Sequence, residues 1–389
     1  MIWFYWIFGL ALALIWFVPV LQAALHISSV ADLTQPEWKV PEGSALPSLT
    51  IVAPARNEEA DIEPALRSLL HLNYPNYQVV AIDDRSTDRT GEIMERLAQE
   101  PEAVGKLRVL HVRDLPAGWL GKTHAMWLGA RQNSSDWILF TDADCVFHPD
   151  SARRALHYAT KTGADHLVLF PTAHLQTLGE RMMISYPQVM ASFAMRTWKI
   201  RDPKAKDHIG VGAFNLVRRT AYAALGTYEK LRLEVVDDLK LGEAVKKAGL
   251  RQDVAFGPGL VTLRWAVGAA GVVRNLEKNL FAFLRFRLSL VVAFCSVLCF
   301  LCVGPFAGLA LAPGWARASF AFAVAMVAAV YYFTSRYTKV STIFFLSCPI
   351  SALLFTFAVL RSAFVAVKDG GITWRGTKYP LAELRKKNL

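Results

Sequence analysis

Two kinds of hydrophobic pattern divide this chain. Between Ser48 and about Gly259, short apolar runs ("SLTIVAPA", "YQVVAIDD", "KLRVLHV", "DWILFTD" and "DHLVLFP") alternate with stretches of helical spacing. In "NEEADIEPALRSLLHL", for example, Leu66, Leu69 and Leu70 fall on one helical face. Such alternation predicts an α/β domain with a mostly parallel sheet covered by helices. Outside this region the apolar runs are long. Met1 to Leu25 carries no charge, and Leu288–Ala312, Ala316–Phe333 and Thr342–Val367 follow the domain. About 20 apolar residues span the hydrocarbon core as a helix, so each run predicts a transmembrane helix. The first run has no basic start and no clear small-residue cleavage site, which marks it as a retained anchor rather than a secretory signal.

The predicted organisation is an N-terminal membrane helix over residues 1–25, a polar linker over 26–47 containing Pro36, Pro41 and Pro47, and the α/β domain over 48–259. Residues 260–287 include "GVVRNLEKNLFAFLRFR", whose mixture of Phe and Leu with Arg and Lys predicts an amphipathic interfacial helix. Three membrane helices over 288–367 and a basic tail over 368–389 complete the chain.

Composition agrees with a mixed soluble and membrane protein. The 389 residues are 53% hydrophobic and 19% charged, and the mean hydropathy is +0.28. A formal charge of +11 raises the question of nucleic acid. The basic residues are scattered, however, and several flank apolar runs, so cytoplasmic loops of a membrane protein account for them and no nucleic-acid partner is expected. Lys278, Arg285 and Arg287 precede the second apolar run, which assigns the α/β domain to the cytoplasm. Four crossings would then place both termini outside, yet the tail holds Lys368, Arg375, Lys378, Arg385, Lys386 and Lys387. Either the last run does not cross fully or the charge bias breaks there. Cys145, Cys295, Cys299, Cys302 and Cys348 show no disulfide framework and no paired metal-binding pattern; Cys299 and Cys302 form a CxxC within a membrane run.

The candidate chemistry lies where the apolar runs end. Asp142 and Asp144 follow the buried run "WILF", at the edge of a parallel sheet where ligands bind. An extended chain would project both to one side. Two carboxylates so placed suit Mg²⁺ or Mn²⁺ held together with substrate phosphates. Alone, they fit two other readings: aspartates capping a strand-to-loop turn, or the DxD of a haloacid dehalogenase-type phosphatase, with Asp142 as nucleophile. An EF-hand loop fails, because Val146 and Phe147 stand where it needs an oxygen ligand and a glycine. The first apolar run ends in "IVAPARNEE" and the second in "AIDDRSTDRTG", two polar clusters consistent with a nucleotide pocket. Lys122 in "LPAGWLGKTHAMWLGA" precedes a helical stretch and can reach a phosphate, although Walker spacing is absent. Asp237 and Asp238 open a helix that ends in a Lys-rich turn and Gly249.

"PARNEE", "IDDRSTDRTG", "GWLGKTHAMWLGA", "TDADC", "GAFNLVRR" and "VVDDLKLGEAVKKAG" occur in the order seen in family 2 glycosyltransferases of the GT-A fold, and Ser48 to Gly259 resembles that family. A dehalogenase would carry its DxD near the start of its domain. The anchor, the three later runs, "LPAGWLGK" and the tail "GGITWRGTKYPL" resemble the ceramide glucosyltransferase-like branch and its bacterial, hopanoid-associated relatives. The (Q/R)xxRW motif of ceramide enzymes and processive synthases is missing, since "VTLRW" has Val261 at its start.

The resemblance implies a Rossmann-like GT-A domain that moves a hexose with inversion from a nucleotide-diphosphate sugar to a lipid hydroxyl. It implies that Pro54, Arg56, Glu58, Asp83 and Asp84 hold the nucleoside, with Lys122 and Asp142 at the diphosphate. Asp142 and Asp144 would hold Mg²⁺ or Mn²⁺, and Asp238 would be the general base. A polyprenyl-phosphate acceptor is an alternative. The implied location is the bacterial plasma membrane. "TLGERMMISYPQVMASFAMRTWKIR" and Val272–Arg287 are expected to border a lipid entrance, with core packing as the competing reading.

Overall fold

The computed structural model of the chain describes residues 2–41, 43–374 and 377–386; Arg375 and Lys387 of the basic tail lie outside the described residues. In chain order the first elements are α1 (Ile2–His26), β1 (Ala31–Asp32), β2 (Leu49–Ala55), α2 (Ile62–Leu70), β3 (Tyr77–Asp84), α3 (Thr90–Ala98), β4 (Leu107–Val112) and α4 (Gly121–Ala130). There follow β5 (Trp137–Phe140), β6 (Cys145–Phe147), α5 (Ser151–Thr162), β7 (His166–Leu169), β8 (Thr172–Ala173), α6 (Leu178–Ala194), β9 (Asn215–Arg218), α7 (Arg219–Ala224) and α8 (Asp237–Lys247). The remainder is β10 (Gln252–Phe256), β11 (Val261–Leu263), α9 (Gly268–Phe283), α10 (Leu288–Cys302), α11 (Gly304–Leu311), α12 (Arg317–Thr338), α13 (Cys348–Lys368), β12 (Gly371–Trp374), β13 (Thr377–Pro380) and α14 (Leu381–Lys386).

These elements form two compact units. One comprises Val30–His174 and Thr197–Trp265; the other comprises Met1–Ser29, Leu175–Arg196 and Ala266–Leu389.

The first unit is built on an eight-stranded sheet in the order β1-β10-β7-β9-β5-β2-β3-β4. Neighbours pair in parallel except β9, which runs antiparallel to both β5 and β7. Every residue of β2 is buried, because a parallel sheet is covered on both faces. Side chains alternate between those faces. Ile51, Ala53 and Ala55 pack with Ile62, Leu66 and Leu69 of α2 and with Met94 of α3, whereas Val52 meets Ala125, Met126 and Ala130 of α4 on the other side. Leu241 and Val245 of α8 join this second layer. Each such fully buried aliphatic side chain contributes roughly 2 kcal/mol. Residues 31–32, expected within a linker, form an edge strand on β10. A smaller sheet pairs β6 antiparallel and β8 parallel to β11, so the start of the region expected to be interfacial is strand.

The topology sets the position of the site. β2 has β3 on one side and β5 on the other, so the strand order reverses beside it, and ligands bind at the carboxyl edge of such a switch point. Because β9 is antiparallel, the residues before Asn215 arrive at that same edge.

In the second unit, α1, Gly314–Ser335 and Thr342–Lys368 are long and apolar enough to cross a membrane. The run Leu288–Ala312 forms α10 and α11, bent by 45° at Val303–Gly304, and the pair taken together is apolar and long enough to be one broken span. Pro305 at the start of α11 explains the break, since it has no backbone N–H to donate to the preceding turn. The Met- and aromatic-rich α6 belongs to this unit. It starts with a capping box in which Thr177 Oγ1 accepts from Glu180 N, and Glu180 also accepts from the backbone N–H of Gly268 at the start of α9. Met183, Tyr186 and Val189 are buried, so much of the face proposed to line a lipid entrance packs as core.

Candidate active site

The loop after β2 carries Arg56, Asn57 and Glu58, and the loop after β3 carries Arg85 to Thr90. Each supplies hydrogen-bond partners to the other. Ser86 Oγ accepts from Asn57 N, Asn57 Oδ1 accepts from Thr87 N, and Thr90 Oγ1 accepts from Glu58 N at 2.8 Å. Asn57 and Arg85 adopt positive φ of 55° and 59°, which lets both chains turn sharply at the strand ends. Pro54 lies buried within β2 opposite Ile82. Asp84, 4% exposed, accepts two hydrogen bonds from the Arg85 guanidinium at 2.8 and 3.0 Å. Asp83 accepts from Ser86 N and pairs with His111 Nδ1 at 3.0 Å. Hydrogen bonds to Asp83 and then Glu95 raise the His111 pKa above its ordinary value.

Asp142 and Asp144 lie just beyond β5. The strand ends at Phe140 and a turn at residues 143–144 follows, so strand alternation does not set their direction. The turn is pinned to the segment before β9: Thr141 Oγ1 donates to Ala213 O at 2.9 Å and Asp142 N donates to Gly212 O at 3.0 Å. Burial, with Asp142 and Glu58 nearby, pushes the Asp144 carboxyl up to about 7.

Lys122 is the second residue of α4. Its ammonium lies 2.7 Å from Asp142 Oδ1 and 3.7 Å from Asp237 Oδ1. Burial opposes its charge, but Asp142, Asp237 and Asp238 outweigh that cost and hold it protonated well above the ordinary lysine range. Asp237 and Asp238 occupy the first turn of α8. Asp237 is buried, accepts from Tyr228 Oη at 3.3 Å, and is pushed up to about 7, chiefly by burial. Burial raises Asp238 as well, while Lys122 and the backbone N–H groups of Leu239 and Gly212 partly offset it.

"GAFNLVRR" is visible in the sequence, but the role of its glycine, Gly212, and of the preceding Gly210 emerges only from the structure. A Cβ on Gly210 would stand 1.7 Å from Asp238 O, and one on Gly212 would stand 2.4 Å from Asp142 Oδ2. Only glycine admits both the start of α8 and the Asp142 carboxylate so close to this loop. The loop is latched from below. Gln252 Oε1 accepts from Ile209 N, while Gln252 Nε2 donates to Ile209 O and lies 2.8 Å from His166 Nδ1. The signal was the short spacing of Gly210 and Gly212, which has no meaning until α8 is known to lie against it.

The structure thus brings Asp142, Lys122, Asp237 and Asp238 into one charged cluster, with Asp144 close enough to feel the Asp142 charge. Arg56, Glu58, Asp83 and Asp84 line the neighbouring strand ends. Chemically, the cluster offers a cation beside carboxylates, and carboxylates whose proton affinity is raised toward neutrality. Among the described residues no group of three or more His, Cys, Asp or Glu is gathered for a metal. A pair of carboxylates still fits a divalent cation that completes its shell with substrate phosphates and water.

Residues 50–226 match the family model described as glycosyl transferase family 2. Two relatives, both called 4,4'-diaponeurosporenoate glycosyltransferase, come from Staphylococcus haemolyticus (strain JCSC1435) and Staphylococcus aureus (strain bovine RF122 / ET3-1). The first is 24% identical over 250 residues, 61% of this chain and 62% of that protein. The second is 22% identical over 346 residues, 86% of this chain and 89% of that protein. A solved mannosyltransferase from Pyrobaculum calidifontis, in complex with GDP-Man and Mn²⁺, superposes with a TM-score of 0.50 at 18% identity, covering 93% of this chain and 98% of that one. The domain therefore has the GT-A glycosyltransferase fold. The matched span contains Asp142 and Asp144, so the dehalogenase reading of "ILFTDADCV" is set aside.

Proposed function

We infer that this chain, which carries a family 2 glycosyltransferase domain, moves a hexose from a nucleoside-diphosphate sugar to a hydroxyl of a membrane lipid. The observation that carries this reading is the junction of Lys122 with Asp142 and Asp237 at the carboxyl edge of a GT-A sheet. The apolar helices in the same chain and the relatives named for a diaponeurosporenoate acceptor support a lipid-type acceptor. "LPAGWLGK" and the tail motif support the ceramide glucosyltransferase-like, hopanoid-associated branch; Arg375 and Gly376 of that tail lie outside the described residues. Arg285 and Arg287 beside α10 support a cytoplasmic catalytic domain on a bacterial plasma membrane.

Pro54, Arg56, Glu58, Asp83 and Asp84 are assigned to the nucleoside. Asp142 and Asp144 would hold Mg²⁺ or Mn²⁺, which when bound supplies positive charge against the donor diphosphate. Lys122 adds a fixed ammonium, placed to stabilise negative charge as the nucleoside diphosphate departs. Asp238 takes the proton from the acceptor hydroxyl. The oxygen then attacks the anomeric carbon as the carbon–oxygen bond to the diphosphate breaks, so configuration inverts. The raised proton affinity of Asp238 suits that role, because a general base works best with a pKa near the working pH. Burial of Asp237 against Tyr228 keeps the first turn of α8, and so Asp238, in place.

The test is to incubate membranes containing the protein with labelled nucleotide sugars in turn, extract the lipids and identify the labelled product. Label in a neutral or polar glycolipid supports the reading. No label in any lipid fraction, beside a working control, overturns it.

A further inference from the structure

The second unit resolves the conflict between four apolar runs and a basic tail. Contacts within this unit set the directions of its helices. The α10–α11 pair runs antiparallel to α1: Trp16 Nε1 donates to Leu301 O at 3.0 Å, Gly304 lies against Leu12, and Gly314 lies against Ile2. From the end of α10 through α11 the chain therefore travels from the middle of α1 to its N-terminal end. α12 runs parallel to α1. Trp315, just before it, packs edge-on against Trp3 and Trp6, and Ser319 meets Gly9. At about 1.5 Å per residue, the 25 residues of α1 and the 22 of α12 each exceed the roughly 30 Å of hydrocarbon. The 15 and 8 residues of α10 and α11 together do the same.

α13 behaves differently, although its length would allow a crossing. The chain turns back at once after α12, with Thr342 Oγ1 3.5 Å from Ser335 Oγ. α13 then begins at Cys348, whose side chain faces Cys302 at the end of α10. Cys302 adjoins Leu301, the partner of Trp16, so α13 starts at mid-depth. From there it runs antiparallel to α10, with Thr356 Oγ1 3.8 Å from Cys299 Sγ. Its second half lies along α9: Phe281 N donates to Ser362 Oγ at 3.0 Å, Ser362 Oγ donates to Glu277 O, and Arg361 Nε pairs with Glu277. A charged pair at this level belongs in the headgroup layer rather than the hydrocarbon core. The tail closes the circuit, because Arg385 Nη2 donates to Phe286 O at 3.2 Å, two residues before α10.

We propose that α13 is re-entrant. It enters and leaves on the face where α10 begins, so the chain crosses the membrane three times, by α1, α10–α11 and α12. Arg285 and Arg287 before α10 then share one face with Lys368, Lys378 and Arg385 of the tail, forming a basic rim that seats on anionic lipid headgroups. The charge distribution is an independent argument: a basic juxtamembrane cluster is stable beside an anionic leaflet. A four-crossing chain would strand the tail on the opposite side. The exposed apolar stripe of α13 (Ile350, Leu353, Phe357, Leu360, Phe364 and Val367) faces acyl chains.

The experiment places an epitope tag at each end of the full chain and scores antibody access in intact spheroplasts and again after permeabilisation. An odd number of crossings predicts tags on opposite sides: the N-terminal tag reached in intact spheroplasts, the C-terminal tag only after permeabilisation. Tags on the same side overturn the proposal. A second measurement follows trypsin cleavage of the C-terminal segment after reconstitution of detergent-purified protein in phosphatidylcholine vesicles with and without phosphatidylglycerol. Slower cleavage in the anionic vesicles, lost in a Lys368→Glu, Lys378→Glu, Arg385→Glu variant, is the result expected of the rim. Equal cleavage in both vesicle types overturns it.

Discussion

Lys122 Nζ sits 2.7 Å from Asp142 Oδ1, joining the first turn of α4 to the turn that follows β5. The same ammonium faces Asp237, so one lysine balances carboxylates from two distant parts of the sequence. Lys122→Met removes that cation and leaves the acidic cluster uncompensated. The cost is about 2 kcal/mol, below that of a fully buried pair because Asp142 is partly exposed. The thermal midpoint of the purified protein should fall by roughly 5 °C, and transfer should fall with it. An unchanged midpoint would show that the ion pair has no structural weight.

The glycine loop makes a sharper prediction. Gly210→Ala drives a methyl into Asp238 O, and Gly212→Ala drives one into the Asp142 carboxylate. A displacement of about 1 Å at a reacting group costs on the order of 100-fold in rate, so each variant should lose at least that much transfer. Gly271→Ala is the control, since its Cβ would meet nothing nearer than 3.6 Å. If Gly210→Ala transferred sugar like the wild type, the close approach of this loop to α8 would be irrelevant to catalysis.

His166 predicts a pH dependence of stability. The ring is buried and neutral, with Nε2 donating to Asn215 Oδ1 and Nδ1 accepting from Gln252 Nε2, both at 2.8 Å. Burial lowers its pKa to about 4 from an ordinary 6.5. Between these values the unfolded chain binds a proton that the folded chain refuses, so folding stability rises with pH across that window. The contribution is complete above about pH 6.5 and lost as pH falls to about 4, a swing of roughly 3 kcal/mol. Denaturation midpoints of the wild type should fall more steeply with acid than those of His166→Gln. Parallel curves would contradict the assignment.

The carboxylate pair predicts a metal requirement for donor binding. Dialysis against a chelator should weaken binding of the nucleotide sugar by an order of magnitude or more, and Mg²⁺ or Mn²⁺ should restore it. Asp144→Asn should blunt that restoration. Donor affinity that ignored chelation would remove Asp142 and Asp144 from a metal role.

Much of this architecture was legible in the sequence, for identifiable reasons. Apolar runs that end abruptly in Asp or Glu mark the carboxyl edge of a covered parallel sheet, so β2, β3 and β5 and their terminal acids could be read directly. The turn at Asp142–Asp144 could not, because a polar pair after a strand is compatible with continued extension. The pairing of Lys122 with Asp237 depends on packing between residues more than a hundred positions apart. The functions of Gly210 and Gly212 depend on α8 coming to rest against them. In the second unit, apolar length alone could not show what α13 packs against: Thr356 meets Cys299 of α10 and Arg361 pairs with Glu277 of α9.

The central claim is that Asp238 removes the acceptor proton in a transfer from a nucleotide sugar to lipid. The most direct measurement compares wild type and Asp238→Asn for binding of labelled donor and for label appearing in extracted lipid. The account predicts donor binding within about threefold of wild type and transfer reduced by on the order of 1,000-fold. Retention of a tenth or more of wild-type transfer by Asp238→Asn would contradict it.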